Sequence, residues 1–185
     1  MSPPTCSNSP LRQITQTTII LVGMPGAGKS TVGKLLAKEM NWAFLDTDRL
    51  IEKSEGSSLQ ELVDTHGYTY LRNIEQHILS TLGGQQQVIA TGGSTVYSQR
   101  AMQHLHTMGP VIYLEISEAT MLERLQGHAG QNRGLAKPLD QSLHELYTER
   151  QALYRYAAQK TVNCDNKDAS QVCENIYRLL TTTKN

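Results

Sequence analysis

The sequence predicts an α/β protein with a mainly parallel sheet covered by helices on both faces. Short apolar runs alternate along the chain with longer segments of helical periodicity, which is the pattern of repeated strand–helix units. The first run, residues 18–22, is continuous and rich in β-branched side chains, as expected of a strand buried on both faces. The length of 185 residues fits a single domain best.

Strands are predicted where apolar runs are bounded by turn residues. Gly92-Gly93 closes the third run, and Gly109-Pro110 precedes the fourth. The predicted strands are residues 18–22, 43–45, 87–91, 111–114 and 161–163. Helices fill the intervals, beginning with a segment whose apolar residues recur at helical spacing. The predicted helices are residues 29–40, 49–82, 97–108, 117–125, 142–158 and 169–181.

Two segments lack any regular apolar pattern. Residues 126–140 contain glycines and a proline without periodicity, so we expect a mobile loop that acts as a lid. Residues 1–16 are rich in Ser, Thr and Pro and have no apolar stretch of the kind found in secretory signals. We interpret them as a disordered tail before a single domain that spans residues 17–183.

Composition narrows the possible partners and location. Lys and Arg number 17 and Asp and Glu also 17, so the net charge is zero, which argues against a nucleic-acid binder. Aromatic residues make up only 5%, too few for base-stacking platforms. No apolar run is long enough to span a membrane. The three cysteines, Cys6, Cys164 and Cys173, form no CxxC pair, so we expect a cytoplasmic protein without disulfides.

Residues 23–30 read GMPGAGKS and match the phosphate-binding P-loop. Its glycines let backbone N–H groups point at phosphate, and the following helix presents its positive end. Lys29 is expected to reach the β- and γ-phosphates, and the Ser30 hydroxyl is a candidate Mg²⁺ ligand. The alternative, a glycine-rich turn with an idle lysine, does not explain its place between a strand and a helix.

Asp46 and Asp48 follow the second strand, where the carboxyl ends of parallel strands face a ligand crevice. One carboxylate is expected to hold Mg²⁺ and the other to orient an acceptor hydroxyl. An equally open interpretation is that an aspartate caps the next helix.

Other polar groups are ambiguous on the residues alone. Arg72 and Glu75 share a helical face, which by itself indicates an ordinary surface ion pair. Gly92-Gly93-Ser94 is either a plain turn or a place of close approach to a ligand, and Arg150 is equally undecided. The six histidines have no metal-binding spacing, so no zinc site is expected.

Among small P-loop proteins, a kinase fits this chain best. Asn166-Lys167-Asp168 lacks the spacer residue of the guanine-binding N-K-x-D motif, which argues against a signalling GTPase. Only one helix follows the fifth strand, which argues against a motor or transporter ATPase.

The chain resembles the shikimate kinase family over about residues 18–180. The resemblance is carried by GMPGAGKST (23–31), FLDTD (44–48), LRNIE (71–75), ATGGS (90–94) and ERQALYRYA (149–157). It implies a nucleoside-monophosphate-kinase-like P-loop fold with five parallel strands in the order 2-3-1-4-5, and a substrate-binding segment at about residues 47–82. It also implies ATP- and Mg²⁺-dependent phosphorylation of the shikimate 3-hydroxyl in aromatic amino-acid biosynthesis, by a protein that we expect to be a monomer.

The resemblance assigns roles to matched positions. Asp48 contacts the acceptor hydroxyl, Asp46 lies near Mg²⁺, Arg72 and Arg150 bind the substrate carboxylate, and Glu75 orients Arg72. A guanidinium fork suits a carboxylate, which gives the arginine assignments a physical basis. The residues expected to bind ATP are Gly26, Ala27, Gly28, Lys29, Ser30, Thr31, Arg124 and Lys137. Among them, Arg124 is expected to pack on the adenine. Gly92, Gly93 and Ser94 are expected to line the substrate pocket.

Two departures from the family pattern bear on the substrate. Ser94 stands where the family has a third glycine, so it either narrows the pocket or adds a hydrogen bond. In the lid, Lys137 takes the place of an arginine, and Arg133 is an alternative catalytic cation. These differences leave open a kinase for another small hydroxy acid, such as homoserine or a sugar acid. A non-catalytic nucleotide-binding module is a third possibility, although it would have little use for the acidic pair.

Overall fold

The computed structural model describes residues 18–126 and 134–181 and contains one five-stranded sheet. The strands are β1 (Ile19–Val22), β2 (Ala43–Asp46), β3 (Gln87–Ala90), β4 (Val111–Glu115) and β5 (Lys160–Asn163). All neighbouring strands are parallel, in the order β2-β3-β1-β4-β5. The expected fold class and strand order are therefore confirmed.

Eight α-helices and one 3₁₀ turn are seen in the described ranges. They are α1 (Lys29–Met40), α2 (Thr47–Glu55), α3 (Leu59–His66), α4 (Tyr68–Thr81), α5 (Gln99–Met108), α6 (Glu118–Gln126), α7 (Leu143–Ala157) and α8 (Ala169–Thr181), with the 3₁₀ turn at Thr95–Tyr97. Within these ranges no helix is both long and apolar enough to cross a membrane.

Two predicted helices are divided in the structure. The single segment predicted over residues 49–82 is three helices, because Gly56 and Gly67 adopt positive φ angles of 68° and 82° at the ends of α2 and α3. The helix predicted over residues 97–108 begins only at Gln99. Ser98 caps it by accepting a hydrogen bond from the Ala101 amide, and the 3₁₀ turn precedes it.

The core explains why the central strand is so apolar. Ile19, Ile20, Leu21 and Val22 are all fully buried, which requires cover on both faces of the sheet. A second, smaller core joins α2, α3 and α4 and also includes Ala136 of the segment after the undescribed residues 127–133. The predicted tail and part of the predicted lid lie outside the described residues. Because Ala136 belongs to this second core, the described part of the lid packs against the helices at 47–82.

The parallel arrangement puts the ends of β1, β2 and β3 at one edge. Asp46 at the end of β2 is in register with Ala90 at the end of β3, and Leu21 of β1 is in register with the same residue. The P-loop, the acidic pair and the Gly92 turn therefore meet at the carboxyl edge of the sheet, where α/β proteins bind ligands.

Candidate active site

The P-loop forms a turn that encloses the lysine side chain. The Lys29 ammonium group donates hydrogen bonds to the carbonyl oxygens of Gly23 (2.7 Å) and Met24 (2.9 Å). Gly26 and Gly28 have φ angles of 81° and 88°, a conformation that side chains other than glycine rarely adopt. No side chain of the described residues caps the start of α1, so its first amide groups have no side-chain acceptor there. This combination suits a phosphate group.

Asp46 joins the P-loop to the second strand. Its Oδ2 accepts a hydrogen bond from the Ser30 hydroxyl at 2.7 Å. Its Oδ1 accepts from the amide groups of Asp48 (3.2 Å) and Arg49 (3.4 Å), so Asp46 also caps α2. Both interpretations of this residue therefore hold together. A hydroxyl and a carboxylate side by side are the hard oxygen ligands that Mg²⁺ prefers, so the residues present fit that ion.

An open cavity of about 670 Å³ extends from the P-loop along the sheet edge. It is lined by Gly26, Gly28, Lys29, Ser30, Thr31, Asp46, Asp48 and Arg124, among others. The Arg124 guanidinium donates to the Gly26 carbonyl at 2.8 Å and fixes one wall. All the ATP-site residues expected from the sequence line this cavity, except Ala27, which is buried within the loop, and Lys137.

A neighbouring cavity of about 520 Å³ shares Arg124 and is otherwise lined by α6 residues, Gln171 and Asn166-Lys167-Asp168. Sequence reasoning considered these last three residues only as a failed guanine motif and so missed them as part of a site. The signal that could have found them is positional, because they follow β5 at the carboxyl edge of the sheet.

A second pocket lies on the other side of Lys29 and Asp48. It brings together groups from the P-loop, α2, α4, the turn after β3 and α7, and residues 134–136 cover it. Five of the six residues expected at the acceptor site line it, together with Lys29, and Arg72 does not; the five are Asp48, Gly92, Gly93, Ser94 and Arg150. Its volume is about 50 Å³, room for only a few water molecules.

Arg72 and Arg150 converge on one atom at the roof of this pocket. Arg72 donates to the Ala136 carbonyl oxygen through Nε (3.2 Å) and Nη2 (2.9 Å). Arg150, only 1% exposed, donates to the same oxygen through Nη2 at 2.9 Å. Two cations thus hold one neutral oxygen in a buried position. Neither has an ion pair with a carboxylate among the described residues.

Glu75 does not play the part expected from the resemblance. Its carboxylate accepts hydrogen bonds from the hydroxyls of Ser94 and Thr95 (2.7 Å for the latter), and no hydrogen bond or ion pair joins it to Arg72 in the described structure. Burial raises the pKa of Glu75, while the two hydroxyls and the charges of Arg150 and Lys29 oppose that rise. The physical reason is that two hydroxyl donors, Ser94 and Thr95, bind this carboxylate from the turn after β3.

Two tyrosines of the site were missed by sequence reasoning. The Tyr154 hydroxyl donates to the Gly93 carbonyl at 2.6 Å and so fixes the turn after β3. The Tyr97 ring lies against the Arg72 guanidinium. Nothing in the spacing of single tyrosines could have shown this, because the contacts join elements that are distant in the chain.

The two candidate lid cations differ in what the structure shows of them. Lys137 donates to the carbonyl oxygens of Pro138 (3.1 Å) and Gln141 (2.7 Å), within its own loop. It lines neither the nucleotide cavity nor the acceptor pocket. Arg133 lies outside the described residues.

Comparison with known proteins gives one consistent family. Residues 25–181 match the family model described as shikimate kinase. The chain is 36% identical over 159 residues to shikimate kinase from Sulfurihydrogenibium sp. (strain YO3AOP1), covering 85% of this chain and 94% of that protein. It is also 36% identical over 167 residues to shikimate kinase 2 from Enterobacter sp. (strain 638), covering 89% and 93%.

Among solved structures, one similar chain is shikimate kinase from Acinetobacter baumannii in complex with shikimate. Its TM-score is 0.82 at 30% sequence identity, covering 92% of this chain and 96% of that chain. The fold of that chain agrees with the family that the sequence comparisons indicate. On this evidence, the chain belongs to the shikimate kinase family.

Proposed function

We propose that this protein transfers the γ-phosphoryl group of ATP to the 3-hydroxyl of shikimate, giving ADP and shikimate 3-phosphate for aromatic amino-acid biosynthesis. The observation that carries the proposal is a single pocket lined by Lys29, Asp48 and Arg150, with Arg72 bound to the carbonyl of Ala136, which covers it. Such a pocket can hold an acid by its carboxylate and present its hydroxyl to the phosphate loop. A shikimate complex of a similar kinase supports the same acceptor.

The nucleotide is held by groups of the P-loop. The amides of residues 26–31 and the Lys29 ammonium group would bind the phosphates, and Arg124, which lines both this cavity and the neighbouring one at residues 166–168, would contact the base. Ser30 and Asp46 would hold Mg²⁺, which when bound would neutralise charge on the phosphates. Lys29 then stabilises the charge that develops on the transferred group.

Asp48 orients the attacking hydroxyl and accepts its proton. Asp48 lines both the nucleotide cavity and the acceptor pocket, which supports this role. General-base assistance of this kind is worth about 10²- to 10⁴-fold in rate. Most of the remaining acceleration comes from holding the two reactants in line.

Arg72 and Arg150 bind the acceptor carboxylate in place of the Ala136 carbonyl. The pocket of about 50 Å³ is too small for a ring-sized acceptor while residues 134–136 cover it. Binding therefore requires this segment to withdraw, and its return over the bound acceptor excludes water. Water exclusion limits wasteful hydrolysis of ATP.

The catalytic role of Asp48 is tested by Asp48→Asn. We expect kcat for shikimate to fall at least about 100-fold, with ATP affinity changed by no more than about twofold. Asp64→Asn, on the exposed side of α3, is the matched control and keeps full activity. Normal turnover by Asp48→Asn would refute the assignment.

The acceptor itself is tested by coupled ADP release with shikimate, homoserine and gluconate. Family membership favours shikimate over the other acids. Turnover of another acid with none of shikimate would replace the substrate while keeping the reaction. ATP binding without transfer to any acceptor would support a non-catalytic module.

We propose Arg133 as the lid cation that reaches the phosphates, since the Lys137 ammonium group is bound by carbonyls of its own loop. Arg133→Met is expected to lower kcat about 100-fold, and Lys137→Met much less. The reverse order of the two variants would assign the role to Lys137.

We also propose that the protein works as a cytoplasmic monomer. Cys164 and Cys173 are buried free thiols, and burial raises their pKa values to about 11 and about 12. Buried thiols that stay protonated react slowly, so these two are poorly suited to disulfide formation, which agrees with a reducing compartment. Light scattering coupled to gel filtration tests the monomeric state, and a dimer mass would contradict it.

A further inference from the structure

Tyr97 contacts both arginines of the acceptor site. It is the last residue of the 3₁₀ turn that follows Ser94, and it is half-buried. The guanidinium carbon of Arg72 lies 3.8 Å from the centre of the Tyr97 ring, over its face. Arg150 donates from Nε to the Tyr97 hydroxyl at 3.4 Å, and its guanidinium carbon lies 5.3 Å from the ring centre. One side chain therefore touches one cation with its face and the other with its hydroxyl.

The two cations need to be held together because they repel each other. Arg150 is buried and points to the same oxygen atom as Arg72, in surroundings where charges are poorly screened. A carboxylate placed between them would stabilise the pair but would also occupy the N–H groups that a ligand needs. Glu75, the nearby buried carboxylate, is bonded instead to Ser94 and Thr95.

An aromatic ring solves this problem in a different way. Its face attracts a cation without accepting the in-plane N–H bonds, so the guanidinium edge stays available. The Tyr97 hydroxyl takes only Nε of Arg150 and leaves Nη2 directed at the pocket. The result is three N–H groups from two arginines aimed at one oxygen position. A carboxylate oxygen, which is charged and accepts several bonds, suits that position better than a peptide carbonyl.

We infer that Tyr97 is a positioning residue that sets the angle between Arg72 and Arg150 and thereby makes the acceptor pocket selective for a carboxylate. The inference rests on the proposed function, because it assumes that the arginines bind the acid group of the acceptor. It adds the residue that holds both guanidinium groups toward the ligand, at a place where neither forms an ion pair within residues 18–126 and 134–181.

The test compares wild type, Tyr97→Phe and Tyr97→Leu with shikimate and with its uncharged carboxamide as acceptors. Tyr97→Phe removes only the hydroxyl and keeps the ring over Arg72. Tyr97→Leu removes both contacts. Tyr156→Leu, at a tyrosine that is 91% exposed on α7, is the matched control. Melting temperature and the KM for ATP are measured for every variant.

We expect Tyr97→Leu to raise the KM for shikimate about 10- to 30-fold, because this variant loses a desolvated cation–π contact. Tyr97→Phe is expected to raise it about threefold, since the lost hydrogen bond is long. With the carboxamide, both variants should match wild type, and kcat and the KM for ATP should be unchanged. The preference for the acid over the amide therefore shrinks in the order wild type, Phe, Leu.

Two results would overturn the inference while leaving the proposed function intact. One is wild-type KM for shikimate in both Tyr97 variants. The other is an equal rise in KM for the acid and the amide, which would show a merely structural role. If wild type does not turn over shikimate but uses another acid, the KM values for that acid and for its amide are compared in the same way. Turnover of no acid at all would reject both proposals.

Discussion

Gly92→Ala is the substitution whose effect can be worked out most directly from the structure. A Cβ at residue 92 would overlap Oε1 of Glu75 and lie 2.7 Å from Oδ1 of Asp48, whereas real Cβ atoms essentially never approach other atoms within 3.0 Å. The backbone cannot move away easily, because the Gly92 amide donates to the Thr47 hydroxyl at 3.0 Å in a buried position. Both carboxylates must therefore shift.

The cost has a structural and a catalytic part. Displacing the buried Glu75 weakens its bonds to Ser94 and Thr95, and overpacking of this kind lowers the free energy of unfolding by about 1–3 kcal/mol. For a domain of this size, that corresponds to a fall in melting temperature of roughly 2–12 °C. A displaced Asp48 misaligns the acceptor hydroxyl, and an error on the order of 1 Å can reduce the rate about 100-fold.

The assay is coupled ADP release with shikimate, together with thermal unfolding and ATP titration. We expect kcat/KM for shikimate to fall about 100-fold while ATP affinity stays within about twofold. Gly83→Ala is the matched control. Apart from its chain neighbours, no described residue has an atom within 4 Å of the added Cβ, so the activity should equal that of wild type. Wild-type kcat/KM and stability in Gly92→Ala would refute this account of the close approach.

Three further predictions concern the carboxylates of the site. Burial holds the pKa of Glu75 above its ordinary value of 4.5. The free energy of unfolding of the wild type should therefore fall as the pH rises from 4.5 through that raised pKa. Glu75→Gln should lack this fall when urea unfolding is followed across the same pH range. Ser94→Ala removes a hydrogen bond to a buried charge, so the free energy of unfolding at neutral pH should drop by about 1–3 kcal/mol. Because that bond lowers the Glu75 pKa, the fall in stability should move to higher pH in this variant. An unchanged profile in either variant would contradict the argument. Asp46→Asn keeps a good helix cap but weakens the metal site, so the Mg²⁺ concentration for half-maximal activity should rise at least about 10-fold, and an unchanged requirement would count against this site.

The fold could be predicted from the sequence because its main signals are local. The buried run at residues 19–22 and the alternation of strands and helices specify a parallel sheet, and the structure confirms it. The prediction of one long helix over residues 49–82 was wrong. Gly56 and Gly67 end α2 and α3 in backbone conformations that apolar periodicity does not reveal. The apolar stripe continues across these breaks since all three helices contribute to the same small core.

The candidate site was predicted in part. Lys29, Ser30, Asp46 and Asp48 lie within short motifs directly after two strands, so their meeting follows from the strand positions. The role of Glu75 could not be predicted in the same way. Its partner was expected to be Arg72 on the same helix face, yet Ser94 from the turn after β3 donates to it instead.

The sequence by itself determined the nucleotide half of this protein, because a P-loop is a contiguous segment whose backbone makes the site wherever a strand precedes it and a helix follows. Only the tertiary structure decided the acceptor half. Arg72 on α4 and Arg150 on α7 are distant in the chain, and the fold brings both to one oxygen atom. Tyr97, after β3, contacts both arginines. The balance of attraction, repulsion and burial among these side chains depends on distances in space, which residue spacing along the chain does not encode.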